Sequence, residues 1–71
     1  MAVSYKKLWK LLIDMNMTKT QMRKESGITT GALAKLGRNE NVNTEILVKI
    51  CNTLHCDITD IMELTEERTD A

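Results

Sequence analysis

Between Thr18 and Leu36 the chain reads Thr-Lys-Thr-Gln-Met-Arg-Lys-Glu-Ser-Gly-Ile-Thr-Thr-Gly-Ala-Leu-Ala-Lys-Leu, and its punctuation leaves little freedom in how it can fold. Thr18 can cap a helix, and Gln21, three residues on, completes a T-x-x-Q capping box. Gly27 falls where that helix must stop in a left-handed conformation, which glycine adopts without a Cβ penalty. Thr29 caps a second helix two residues later. So short a connection holds two packed, steeply crossed helices.

The same punctuation recurs along the chain. Ser4, Thr18, Thr29, Asn43 and Asp57 each stand at a cap position, with apolar residues spaced as a hydrophobic staple on either side. The spacing predicts five helices. Leu8, Leu11, Leu12 and Met15 form the inward stripe of the first, which Asn16 can end in a left-handed conformation. Met22 faces inward from the second helix, and Ala32, Leu33 and Leu36 from the third. Ile46, Leu47, Ile50, Cys51 and Leu54 line the fourth. Ile58, Ile61 and Met62 would close the base from a short fifth helix. With 71 residues, no proline and three glycines, the expectation is one compact all-α domain over 1–71, with a core of about 4–64 and an acidic tail over 65–71.

Zero net charge conceals a division. Residues 1–38 carry eight Lys and Arg against Asp14 and Glu25, a balance of +6; residues 39–71 carry Lys49 and Arg68 against eight acids, a balance of −6. A basic half containing two crossed helices suits a polyanion, since such a unit can place its second helix in the major groove of DNA. No apolar run approaches the ~20 residues of a membrane span, and no signal-peptide pattern opens the chain, so a cytoplasmic, nucleoid-associated protein is expected.

These features, with the closing stretch Ile50-Cys-Asn-Thr-Leu-His-Cys-Asp-Ile-Thr-Asp-Ile-Met-Glu-Leu64, resemble the Cro/CI-type (XRE family) helix–turn–helix regulators of bacteria and phages, in particular a short single-domain subgroup. The similarity runs from about Tyr5 to Leu64. It implies a five-helix, lambda-repressor-like domain that binds operator DNA, usually as a homodimer, with the third helix as the reading element. Two positions depart from the family pattern. Arg23 stands where a small Ala is common, and Leu12 and Gly37 stand where many relatives pair Arg with Glu, so an apolar contact is expected there.

With Ala32, Leu33 and Leu36 inward, the third helix presents Thr30, Gly31, Ala34, Lys35 and Arg38 outward. Matched to the family's positions, Thr29, Thr30, Gly31 and Lys35 are the base readers. Thr30 can bond a base edge or touch a thymine methyl, and Lys35 favours guanine O6 and N7. Gly31 costs about 1 kcal/mol relative to Ala inside a helix; it is either a point of close backbone approach to the groove or a tolerated surface glycine. Thr18, Lys19 and Thr20 open the second helix, whose free N–H groups and dipole suit a phosphate. Arg38, Asn39, Asn41, Asn43 and Thr44 are candidate phosphate contacts on the other side of the groove, with plain cap chemistry the stronger reading for Asn43. Lys6, Lys7 and Lys10 read more readily as a solvated face than as flanking phosphate contacts.

Other chemistries find little support. Cys51, His55 and Cys56 fall short of the four ligands of a closed zinc site, and a Cys51–Cys56 disulfide is not expected in a reducing compartment; Cys56 is the better redox candidate if exposed. One histidine without a paired nucleophile gives no catalytic site, and no phosphate-cradling glycine loop or small-molecule site is evident. Trp9, Tyr5 and the five methionines read as packing. The expected activity is sequence-specific transcriptional regulation, as a repressor on a palindromic operator. The alternatives are the antidote of a toxin–antitoxin pair and a protein-interaction module without DNA. For a dimer surface, the stretch around Ile61, Met62 and Leu64 is favoured over Trp9.

Overall fold

The computed structural model describes residues 2–66. Strand β1 (Ala2–Ser4) leads into four α-helices, α1 (Lys6–Asp14), α2 (Lys19–Ser26), α3 (Thr30–Gly37) and α4 (Thr44–Leu54). A single 3₁₀ turn (Ile58–Asp60) follows, and strand β2 (Glu63–Thr65) pairs antiparallel with β1, Val3 opposite Leu64. The helices enclose a core of Tyr5, Leu8, Leu12, Met22, Ile28, Leu36, Leu47, Ile50, Leu54 and Ile61.

The central punctuation acts as the residues dictate. Thr18 Oγ1 accepts the Gln21 N–H at 3.1 Å while Gln21 Oε1 accepts the Thr18 N–H at 2.9 Å, closing the capping box. Gly27 ends α2 at φ 78°, ψ 16°, its N–H donated to the Arg23 carbonyl. Thr29 Oγ1 accepts the Ala32 N–H at 3.0 Å to start α3. Asn16 and His55 also take positive φ, both 55°, just beyond α1 and at the end of α4. Arg23 is accommodated half-buried between the crossed helices.

Both ends of the chain differ from the five-helix expectation. Asp57 caps as expected and forms a box with Asp60, but the helix stops after one 3₁₀ turn. Ile61 alone is then fully buried, Met62 is half-buried and Ile58 stays 37% exposed. Three residues lack the second turn needed to bury a whole face, and the chain gains backbone hydrogen bonds by pairing with β1 instead. That pairing corrects the start of the first helix too: Ser4 lies in β1, and the cap position falls to Tyr5 with no side-chain cap. Tyr5 is held there by tertiary bonds. Its N–H donates to Asn39 Oδ1 at 3.0 Å and its buried hydroxyl to the Glu40 carbonyl at 2.9 Å. Lys7 ties the same region together, donating to the Thr59 carbonyl at 3.1 Å and lying 3.8 Å from Glu63.

Two smaller expectations also change. Leu12 is buried in the common core, but a Cβ on Gly37 would meet nothing within 4 Å, so no apolar contact replaces the ion pair of many relatives. Asn43 occupies the cap position of α4 without a side-chain cap hydrogen bond. Of the acidic tail expected over 65–71, residues 67–71 lie outside the described residues, and Thr65 belongs to β2.

Candidate nucleic-acid interface

Helix α3 turns Leu36 into the core and half-buries Ala32 and Leu33, which leaves Thr30, Gly31, Ala34 and Lys35 exposed along one side. That side is one wall of an open cleft. The α3 region contributes Thr29, Gly31 and Lys35; the loop before α4 contributes Asn41 and Asn43; Ala32, Val42 and Ile46 supply its apolar lining. Three of the four residues nominated as base readers and two of the nominated clamp residues therefore border one space. Thr30 lies outside it, as do Arg38, Asn39 and Thr44.

Gly31 has an ordinary helical backbone, and a Cβ there would approach only Thr29 Oγ1, at 3.8 Å. Neither φ nor packing within the chain requires glycine at this position. Asn39 has a second duty that local sequence does not disclose. At φ 57° its carbonyl oxygen holds the Tyr5 N–H, while its amide NH₂, the donor a phosphate would use, has no partner among the described residues. Asn43 is exposed with its side chain unused by the cap.

The charges are also arranged by the tertiary fold. Arg38 Nε donates to Glu40 Oε2 at 2.7 Å. That hydrogen bond holds the Glu40 carboxyl below the usual range and raises the Arg38 guanidinium. The pair is exposed and weak, so a phosphate could displace Glu40. At the start of α2, the capping box uses the Thr18 and Gln21 N–H groups, leaving those of Lys19 and Thr20 without an intrahelical acceptor. Lys19 Nζ sits 4.5 Å from the centroid of the Trp9 ring. The sequence signals missed this pair because the two residues belong to different helices.

The cysteines have an architectural role. With His55 left-handed, Cys56 N–H donates to the Cys51 carbonyl at 3.1 Å, the six-to-one bond of a Schellman helix end. That motif brings together the side chains at these two positions. Burial pushes the Cys56 thiol up to about 11 and raises Cys51 as well, so both are protonated thiols at neutral pH and poor nucleophiles. Among the described residues, no group of three or more His, Cys, Asp or Glu is placed to hold a metal ion, and no helix is long and apolar enough to cross a membrane.

A capped helix, a left-handed glycine stop and a second capped helix with an exposed polar face define a helix–turn–helix module. The Cro/C1-type helix–turn–helix DNA-binding domain model matches residues 7–67, and the chain belongs to that family. It is also similar to the crystal structure of the transcriptional regulator VanUg (Form II), with 50% identity, a TM-score of 0.90, and coverage of 93% of this chain and 88% of that one. No curated protein matches it.

Proposed function

We propose that this protein is a sequence-specific repressor that binds a palindromic operator as a homodimer, with α3 in the major groove. The reading is carried by the cleft in which Thr29, Gly31 and Lys35 meet Asn41 and Asn43. Base contacts come from Thr29, Thr30, Gly31 and Lys35. Thr18, Lys19 and Thr20 take phosphates on one side of the groove, and Arg38, Asn39, Asn41, Asn43 and Thr44 on the other. The likeness to VanUg, titled a transcriptional regulator, supports the regulatory reading. Repression follows from occupancy, because a bound dimer obstructs polymerase.

A helix as short as α3, eight residues, offers few base contacts, so two half-sites about 34 Å apart should be read together. Of the apolar C-terminal stretch favoured for pairing, Ile61 is unavailable because it is fully buried; Leu64, 59% exposed, remains. Selection from random DNA should return an inverted repeat, and sedimentation should give two chains per site. Failure to enrich any sequence would remove the specific reading, and a one-to-one complex on the selected repeat would remove the dimer.

Gly31→Ala separates fold from function. Alanine should stabilise α3 by about 1 kcal/mol, raising the melting temperature by about 4–8 °C, while specific DNA affinity falls because the added methyl holds the helix off the groove. A more stable variant that binds equally well would make Gly31 an ordinary surface glycine.

A further inference from the structure

Trp9 is the chain's one tryptophan. It projects from α1, half-buried and packed against the core, so its ring is anchored. Lys19, the first residue of α2, is exposed and lays its ammonium over that ring at 4.5 Å from the centroid. The ion pairs among the described residues are Lys7 with Glu63 and Arg38 with Glu40, so no carboxylate neutralises Lys19. An indole face attracts an ammonium through its quadrupole but leaves the charge intact. The N–H donors pointing away from the ring stay available, beside the free backbone N–H groups of Lys19 and Thr20.

From this geometry we infer that Trp9 is a positioning residue that holds the Lys19 ammonium at the mouth of α2 for a DNA phosphate. The inference rests on the DNA-binding reading above. A free lysine is a point charge on a flexible stem, and fixing it on binding costs rotamer entropy. The ring removes part of that cost in advance, because it already restricts the stem and accepts the face of the ammonium that the phosphate does not use. A carboxylate partner would order the lysine equally well but would cancel the charge.

A double-mutant cycle tests this on the full chain with its selected operator. Lys19→Ala should weaken specific and random DNA alike and lower the salt slope by about 1. Trp9→Leu should weaken binding about two- to fivefold in the wild-type background and have no further effect in the Lys19→Ala background. Trp9→Phe, which restores an aromatic face, should recover most of the loss. An equal loss from Trp9→Leu in both backgrounds would overturn the inference, since the ring would then act through the fold. So would a Lys19→Ala variant with unchanged affinity and slope. Wild-type protein that binds no DNA at all would instead defeat the underlying reading. Should Trp9→Leu melt below the assay temperature, indole emission decides. DNA should shift Trp9 emission in the wild type and not in Lys19→Met, and a shift that persists in Lys19→Met would overturn the proposal.

Discussion

Valine in place of Gly27 is expected to lower the melting temperature by about 10–20 °C and to abolish DNA binding in the same variant. The cause is backbone conformation. Gly27 sits at φ 78°, and a Cβ there would meet nothing within 4 Å, so crowding contributes nothing. A β-branched residue forced into the left-handed region is a conformational outlier, at a cost of about 2–3 kcal/mol. The only relief is to unwind the end of α2, which would release the Gly27 N–H from the Arg23 carbonyl and swing α3 off its seat on Met22 and Ile28. Gly27→Asn is the control: the chain already holds Asn16 and Asn39 at φ 55° and 57°, so asparagine should cost far less. Thermal melts and a gel shift on both variants make the check. Full stability with selectively lost binding in Gly27→Val would show that Gly27 serves the interface and not the turn.

Lys35→Ala should leave the fold intact and cost about 1–3 kcal/mol of specific binding, with preference relaxed at one base pair in each half-site. Alanine is the better helix former and Lys35 is exposed, so α3 loses nothing. What is lost is the one cationic side chain on the wall of the cleft, beside Thr29 and Gly31. Affinity measured against a library of single-base operator variants gives the readout. Uniform weakening across the library, with a smaller salt slope, would make Lys35 a phosphate contact.

Stability and specificity are divided cleanly in this molecule. The polar side chains that hold the fold, Thr18, Gln21, Thr29 and Asp57, bond to nearby backbone. Among the nominated interface residues, Thr30, Lys35, Asn41 and Asn43 make no side-chain hydrogen bond among the described residues and can be exchanged without loosening the core. Asn39 is the exception, because its carbonyl oxygen secures the Tyr5 backbone. A defect from changing Asn39 would therefore mix fold and function.

Local signals carried the helix–turn–helix. A capping box, a left-handed glycine and a second cap depend on residues within four positions of one another, so Thr18, Gln21, Gly27 and Thr29 were readable one turn at a time. The core stripes were equally plain, since Leu8, Leu12, Leu36, Leu47, Ile50 and Leu54 recur at helical spacing and all are buried. The exposed face of α3 followed as the complement of that stripe, and the residues nominated on it needed no knowledge of the rest of the chain.

Only the tertiary structure decided the remainder, and in each case the determining contact spans distant sequence. Pairing of Ala2–Ser4 with Glu63–Thr65 joins segments about sixty residues apart, and no local signal distinguished a three-residue strand from the start of a helix at Ser4 or the continuation of one beyond Asp60. Tyr5 looked like packing, yet its N–H and hydroxyl bind residues 34 and 35 positions away. The cleft depends on how the α3–α4 loop folds against α3, and Trp9 meets Lys19 only because α1 and α2 cross. Caps and periodicity act within a turn or two of helix and are written in residue order. Strand pairing, loop placement and contacts between helices are settled when the core closes, because their stabilising energy exists only once both partners are in place.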